Sequence, residues 1–181
     1  MTAAFVWATT SVPDIPAADW AIGGASAGGN LVAGAALRLR DTGGPLPRTM
    51  VLAYPVLHAA LPPVPAELAA KVRALPPEAA FGAEEIAAMN LRYVQHPDAL
   101  AEAYAFPGGH DLSGLPPTFV LTCDADSLRA SGQHFGAELA TAGVDVAVIR
   151  EVGTTHGHLN EPENPAARRS IVRVADWLNR T

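Results

Sequence analysis

Four short, nearly continuous apolar runs punctuate the chain: Trp20-Ala21-Ile22-Gly23-Gly24, Thr49-Met50-Val51-Leu52-Ala53-Tyr54, Thr118-Phe119-Val120-Leu121-Thr122-Cys123 and Asp145-Val146-Ala147-Val148-Ile149-Arg150. Runs of this length without polar alternation read as strands covered on both faces, the pattern of a parallel sheet. Stretches with helical spacing lie between them. Residues 27–41 are apolar nearly all round until Arg38, Arg40 and Asp41, which predicts a buried helix, and Gly43-Gly44-Pro45 stops it. Residues 128–142 put Leu128, Phe135 and Leu139 on one helical face. The last element opens with Asn164 as a cap and Pro165 at the first helical position, then shows Ala167, Ile171, Val174 and Leu178 as a single stripe. Residues 2–10 predict the closing turns of a helix, and prolines 13 and 16 make 11–16 a loop.

Strands that alternate with helices imply a parallel sheet with right-handed crossovers and helices on its faces, so the fold class is α/β with about four parallel strands. The stretch from Val56 to Pro117 is less regular, proline-rich, and carries helical segments near 65–74 and 83–94. It reads as a cap-like or surface excursion within one domain spanning 1–181.

Composition narrows the function. With 181 residues, 49% hydrophobic and 17% charged, the chain can bury a core of its own. A formal charge of −6 leaves no basic footprint for nucleic acid. No apolar run reaches the length of a membrane span and no signal-peptide pattern opens the chain, which predicts a cytoplasmic address. The single cysteine, Cys123, sits inside a strand run and reads as a small buried hydrophobe. His58, His96, His110 and His134 show no ligand spacing with one another or with a carboxylate cluster, so neither a metal nor a cofactor is expected.

The chemistry-bearing stretch is Gly24-Ala25-Ser26-Ala27-Gly28-Gly29-Asn30, between the first strand and the small-residue helix. A Gly-x-Ser-x-Gly turn from strand into helix is the form of a nucleophile elbow. Glycines on both sides of Ser26 are expected to be required sterically, because a Cβ there would strike the neighbouring strand or helix. The Ala27 N–H, at the start of that helix, can face a developing oxyanion. A serine nucleophile needs a base and an orienting acid, and in this architecture they belong on loops after later strands. Asp124 and Asp126 follow the strand ending at Cys123; His156 and His158 follow the strand ending near Val152. Asp126 immediately precedes Ser127-Leu128-Arg129 at a helix start, where it can also serve as a cap, and His156 lies in Gly153-Thr154-Thr155-His156-Gly157. All these loops should meet at the carboxyl edge of the sheet.

Together with Tyr54-Pro55-Val56, Leu115-Pro116-Pro117-Thr118, Asp126-Ser127-Leu128-Arg129 and His156-Gly157, the elbow resembles the α/β-hydrolase fold, specifically the hormone-sensitive-lipase-like carboxylesterases. The resemblance implies Ser26 as nucleophile, Asp126 as orienting acid, His156 as base, and hydrolysis of small carboxylic esters through an acyl-enzyme. The alternative function class is a non-catalytic hydrolase-fold remnant or a ligand- or partner-binding module. The chain carries Ala25 where that family often has an acidic residue, and it has no His-Gly-Gly-Gly loop to complete the oxyanion hole. It thus resembles the C-terminal part of the family's domain, an incomplete α/β-hydrolase fold, and weak activity is expected. The same reasoning makes the strand at 20–24 an open edge, through which the chain is expected to self-associate.

Overall fold

A computed structural model of the chain describes residues 1–12 and 14–180; Pro13, one of the two prolines read as breaking the first helix, lies outside them. Four strands, β1 (Ala21–Ala25), β2 (Thr49–Ala53), β3 (Thr118–Ala125) and β4 (Val146–Thr155), form a parallel sheet in the order β1-β2-β3-β4. The helices are α1 (Thr2–Ser11), α2 (Ala27–Asp41), α3 (Ala66–Arg73), α4 (Ala83–Val94), α5 (Arg129–Thr141) and α6 (Pro165–Arg180). The elements expected from the apolar runs are all present.

Period-two alternation along the strands divides the core between the two faces of the sheet. Met50, Leu52 and Val120 join Val32, Ala36 and Leu37 of α2 and Phe135 and Leu139 of α5 in the larger core. On the opposite face, Phe119, Leu121 and Cys123 pack with Trp177 of α6. Cys123 is a free, buried thiol, as expected. Asn164 caps α6 by accepting the Ala166 N–H at 2.9 Å.

Three readings need correction. The first concerns α2, which is not buried all round, since Leu31 is 41% exposed. The second is α6, whose buried residues are Ala166, Ala167, Ser170 and Trp177, while Ile171, assigned to the core stripe, is 56% exposed. Val174 and Leu178 do pack against the core, and with Ile171 they border an open apolar pocket of about 390 Å³ against β1, with Val51 and Ala53. The third is β4, which continues past Val152 to Thr155. At its polar end buried Glu151 pairs with half-exposed Arg169, and the Thr154 hydroxyl donates to the Glu151 carbonyl at 2.6 Å. Among the described residues, β1 has β2 on one side and no strand on the other.

Candidate active site

The elbow forms because β1 passes directly into α2 through one residue. Ser26 holds φ 54° and ψ −122°, outside the favoured regions for a residue with a side chain. Its N–H donates to the Ala53 carbonyl at 2.8 Å, and its carbonyl accepts from Gly29 at 3.0 Å. Gly24 behaves as the sequence predicts, since a Cβ there would run into the Gly28 carbonyl. Gly28 does not: a Cβ there would meet nothing within 4 Å. The second steric requirement falls on Gly29, whose Cβ would press on the Pro55 ring at 2.9 Å.

The structure brings Ser26, Asp126 and His156 together. His156 Nε2 lies 3.0 Å from Ser26 Oγ, and its Nδ1 lies 2.9 Å from Asp126 Oδ2. Asp126 is 1% exposed, and its other oxygen accepts the Leu128 N–H at 2.9 Å. Asp126 thus does not cap α5, whose N-cap is Leu128; its Oδ1 closes a turn just before the helix while its Oδ2 faces His156. The imidazole of His156 is flanked edge-on by Tyr54, at 4.9 Å between ring centroids, and by Phe81, at 5.2 Å.

The competing candidates face elsewhere. Asp124 takes the Lys71 ammonium at 2.6 Å and the Gly153 N–H at 3.1 Å, and Arg129 donates to its carbonyl at 2.6 Å. Burial would raise its carboxyl pKa, but Lys71, the Gly153 N–H and Arg150 outweigh burial and hold it below the usual value. Arg129, itself buried, also pairs with Glu67 of α3. Those bonds from Arg129 and Lys71 depress Glu67 to about 2. His158 is fully buried between Cys123 Sγ, at 3.2 Å from Nδ1, and Ser170 Oγ, at 2.9 Å from Nε2. Burial lowers its pKa, which keeps it neutral, and raises that of Cys123.

Ser26 and Ala27 open into a largely apolar cavity of about 230 Å³, walled by Leu31, Val56, Phe81, Met89, Tyr93 and Phe106. Phe81, Met89 and Tyr93 come from the irregular excursion between β2 and β3. Sequence reasoning named none of these three, because only the fold of that excursion over the elbow brings them to Ser26. Ala27 opens α2, so its N–H has no acceptor within the helix.

The comparisons agree with this geometry. A profile of the alpha/beta hydrolase fold matches residues 1–160. The chain belongs to the alpha/beta hydrolase fold family. It is 36% identical over 143 residues to carboxylesterase NlhH of Mycobacterium tuberculosis, covering 77% of this chain and 43% of that protein. Esterase LipI of the same organism is 32% identical over 141 residues, covering 77% of this chain and 42% of its own length. The chain thus spans under half the length of these curated relatives. Among solved structures, an esterase of Pyrobaculum calidifontis superposes with a TM-score of 0.80 at 30% identity, covering 96% of this chain and 58% of that one. A carboxyl esterase of Tuber melanosporum gives 0.83 at 26% identity, covering 99% and 60%. No helix among the described residues is long and apolar enough to cross a membrane.

Proposed function

We propose that the chain hydrolyses small carboxylic esters through an acyl-enzyme on Ser26. The observation that carries this reading is the unbroken relay from Ser26 Oγ to His156 to Asp126, at 3.0 and 2.9 Å, opening into an apolar cavity. Asp126 accepts the Nδ1–H of His156, leaving the Nε2 lone pair to take the Ser26 proton as Oγ attacks the ester carbonyl. The oxyanion of the tetrahedral adduct faces the Ala27 N–H at the positive end of α2. His156 then gives its proton to the departing alkoxide, and the alcohol leaves. A water attacks the acyl-enzyme with the same base and releases the acid. The 181-residue chain has no His-Gly-Gly-Gly run to add a second donor, so turnover is slow. The loss of one such donor costs roughly 10²–10³ in rate. Helices α3 and α4 serve as the cap over the acyl site within one domain.

The test is the purified chain with an activated short-chain ester and with a fluorophosphonate that reports serine nucleophilicity. Label on Ser26, absent from Ser26→Ala and His156→Ala, is expected together with a burst of released alcohol. Equal label and equal rates in wild type and Ser26→Ala would assign the chain to the binding-module class instead.

A further inference from the structure

His58, His96, His110 and His134 carry no ligand spacing in sequence, yet the fold brings two of them to one carboxylate. His58 lies in the loop after β2, while His134 and Glu138 lie one turn apart on α5. Their ligand atoms all fall within 4.8 Å of one another. Glu138 Oε1 is 3.5 Å from Nε2 of His58 and 3.5 Å from Nε2 of His134. Ligands at about 2.0–2.1 Å on a tetrahedral ion sit about 3.4 Å apart, so two edges of the tetrahedron already exist. The third closes by turning His134, whose side chain is 54% exposed and free to move.

Hydrogen-bond accounting points the same way. Ser131 Oγ accepts the Leu57 N–H at 2.9 Å and lies 2.8 Å from His58 Nδ1. When Ser131 Oγ accepts the Nδ1–H as well, its two lone pairs are filled and His58 Nε2 carries the lone pair that a metal ion would take. Glu138 Oε2 faces that nitrogen at 3.3 Å, is buried, and has no hydrogen bond. An ion held between them would neutralise the carboxylate and give Oε2 the partner it lacks. Ser131 is then the outer partner that fixes the tautomer of a ligating imidazole, and the Gly109 N–H, 3.0 Å from Glu138 Oε1, orients the carboxylate. Gly108 packs on the face of the His58 ring, where a Cβ would collide, and so holds the ring plane. An open pocket of about 400 Å³, bordered by Gly109, His110, Asp111, His134 and Glu138, gives entry from solvent and room for a water as fourth ligand.

We propose that His58, His134 and Glu138 form a divalent transition-metal site, suited to zinc, separate from the Ser26 relay. Two imidazoles and a carboxylate favour zinc over calcium or magnesium, which take oxygen ligands. The ion ties the loop after β2 and the Gly108-Gly109 turn to α5.

The full chain, stripped with chelator, is titrated with Zn²⁺ by calorimetry and with Co²⁺ by visible absorption. One Zn²⁺ per chain at micromolar affinity or tighter, a tetrahedral Co²⁺ spectrum, and a melting temperature that rises with Zn²⁺ are expected. His134→Ala, at an exposed position that the fold does not need, should abolish all three while its circular dichroism stays unchanged. Glu138→Gln should weaken binding at least tenfold, and His96→Ala should bind as wild type. Absence of saturable Zn²⁺ binding, or undiminished binding by His134→Ala, would overturn the site.

Discussion

Asp124 Oδ2 accepts the backbone N–H of Gly153 at 3.1 Å, which fastens the loop carrying Asp126 to the strand end carrying His156. The same carboxylate holds Lys71 of α3 at 2.6 Å, so one buried acid joins the strand ends that carry Asp126 and His156 to α3. Asp124→Ala removes both ties and leaves Arg129 with Glu67 and the residue 124 carbonyl. A loss of about 2 kcal/mol in denaturant unfolding is expected, as for leaving a buried N–H without its charged acceptor. Turnover should fall as His156 loses its registration with Ser26, even though Asp124 touches no reacting atom. A kcat within twofold of wild type would show that the relay stands without this fastening.

The same network sets an acid limit. Asp124 and Glu67 both have folded pKa values below their unfolded ones. Their contribution is therefore complete above the unfolded carboxylate range near pH 4 and is lost as pH falls through the folded values, for Glu67 near 2. Wild type should lose stability steeply between about pH 4 and 2, and the Asp124→Asn, Glu67→Gln double variant should show a shallower slope. Parallel slopes in a pH series of urea melts would contradict the assignment.

At the elbow, two glycines with matching places in the motif should respond in opposite ways. Gly24→Ala drives a Cβ into the Gly28 carbonyl, backbone against backbone, and should cost at least about 3 kcal/mol or prevent folding. Gly28→Ala meets open space within a helix and should leave the melting temperature unchanged or slightly raised. Thermal melts of the two variants suffice, and equal destabilisation would refute the packing described.

The cavity beside Ser26 predicts an acyl preference. Each methylene buried against Leu31, Met89 and Phe106 is worth about 0.8 kcal/mol, so kcat/KM should rise about fourfold per carbon until the walls are reached. Met89→Ala should move the optimum to a longer acyl chain. A flat profile across ester lengths in both proteins would mean that the acyl group lies elsewhere.

The open apolar pocket beside β1 predicts self-association. Sedimentation should show a mass that grows with concentration, and Ile171→Lys, which places a charge in that exposed pocket, should reduce it. A concentration-independent monomer in the wild-type chain would refute this expectation.

The sheet was legible because its strands are covered and so nearly uninterrupted by polar residues, and the 83–94 helix was read to the residue. What escaped was set by pairing across the sheet. The end of β4 looks polar because Glu151 and Thr154 find their partners within the chain. Ile171 follows the apolar period of α6 yet faces the open side of β1. The order of Ser26, the aspartates and the histidines announced a relay. The choice of Asp126 over Asp124 lay in contacts with Lys71 and Gly153, 53 residues before and 29 after Asp124. His58 joins Glu138 across 80 residues, a separation no spacing rule reaches.

The strand order β1-β2-β3-β4 repeats the order of synthesis. Each of β2, β3 and β4 thus finds its neighbour already made as the polypeptide leaves the ribosome. Ser26 emerges with the first strand and His156 only after the last. On the proposed mechanism the serine is chemically ordinary between those moments and becomes reactive when the final crossover docks. A covalent serine label applied during translation would therefore act as a clock for the arrival of the chain's last third.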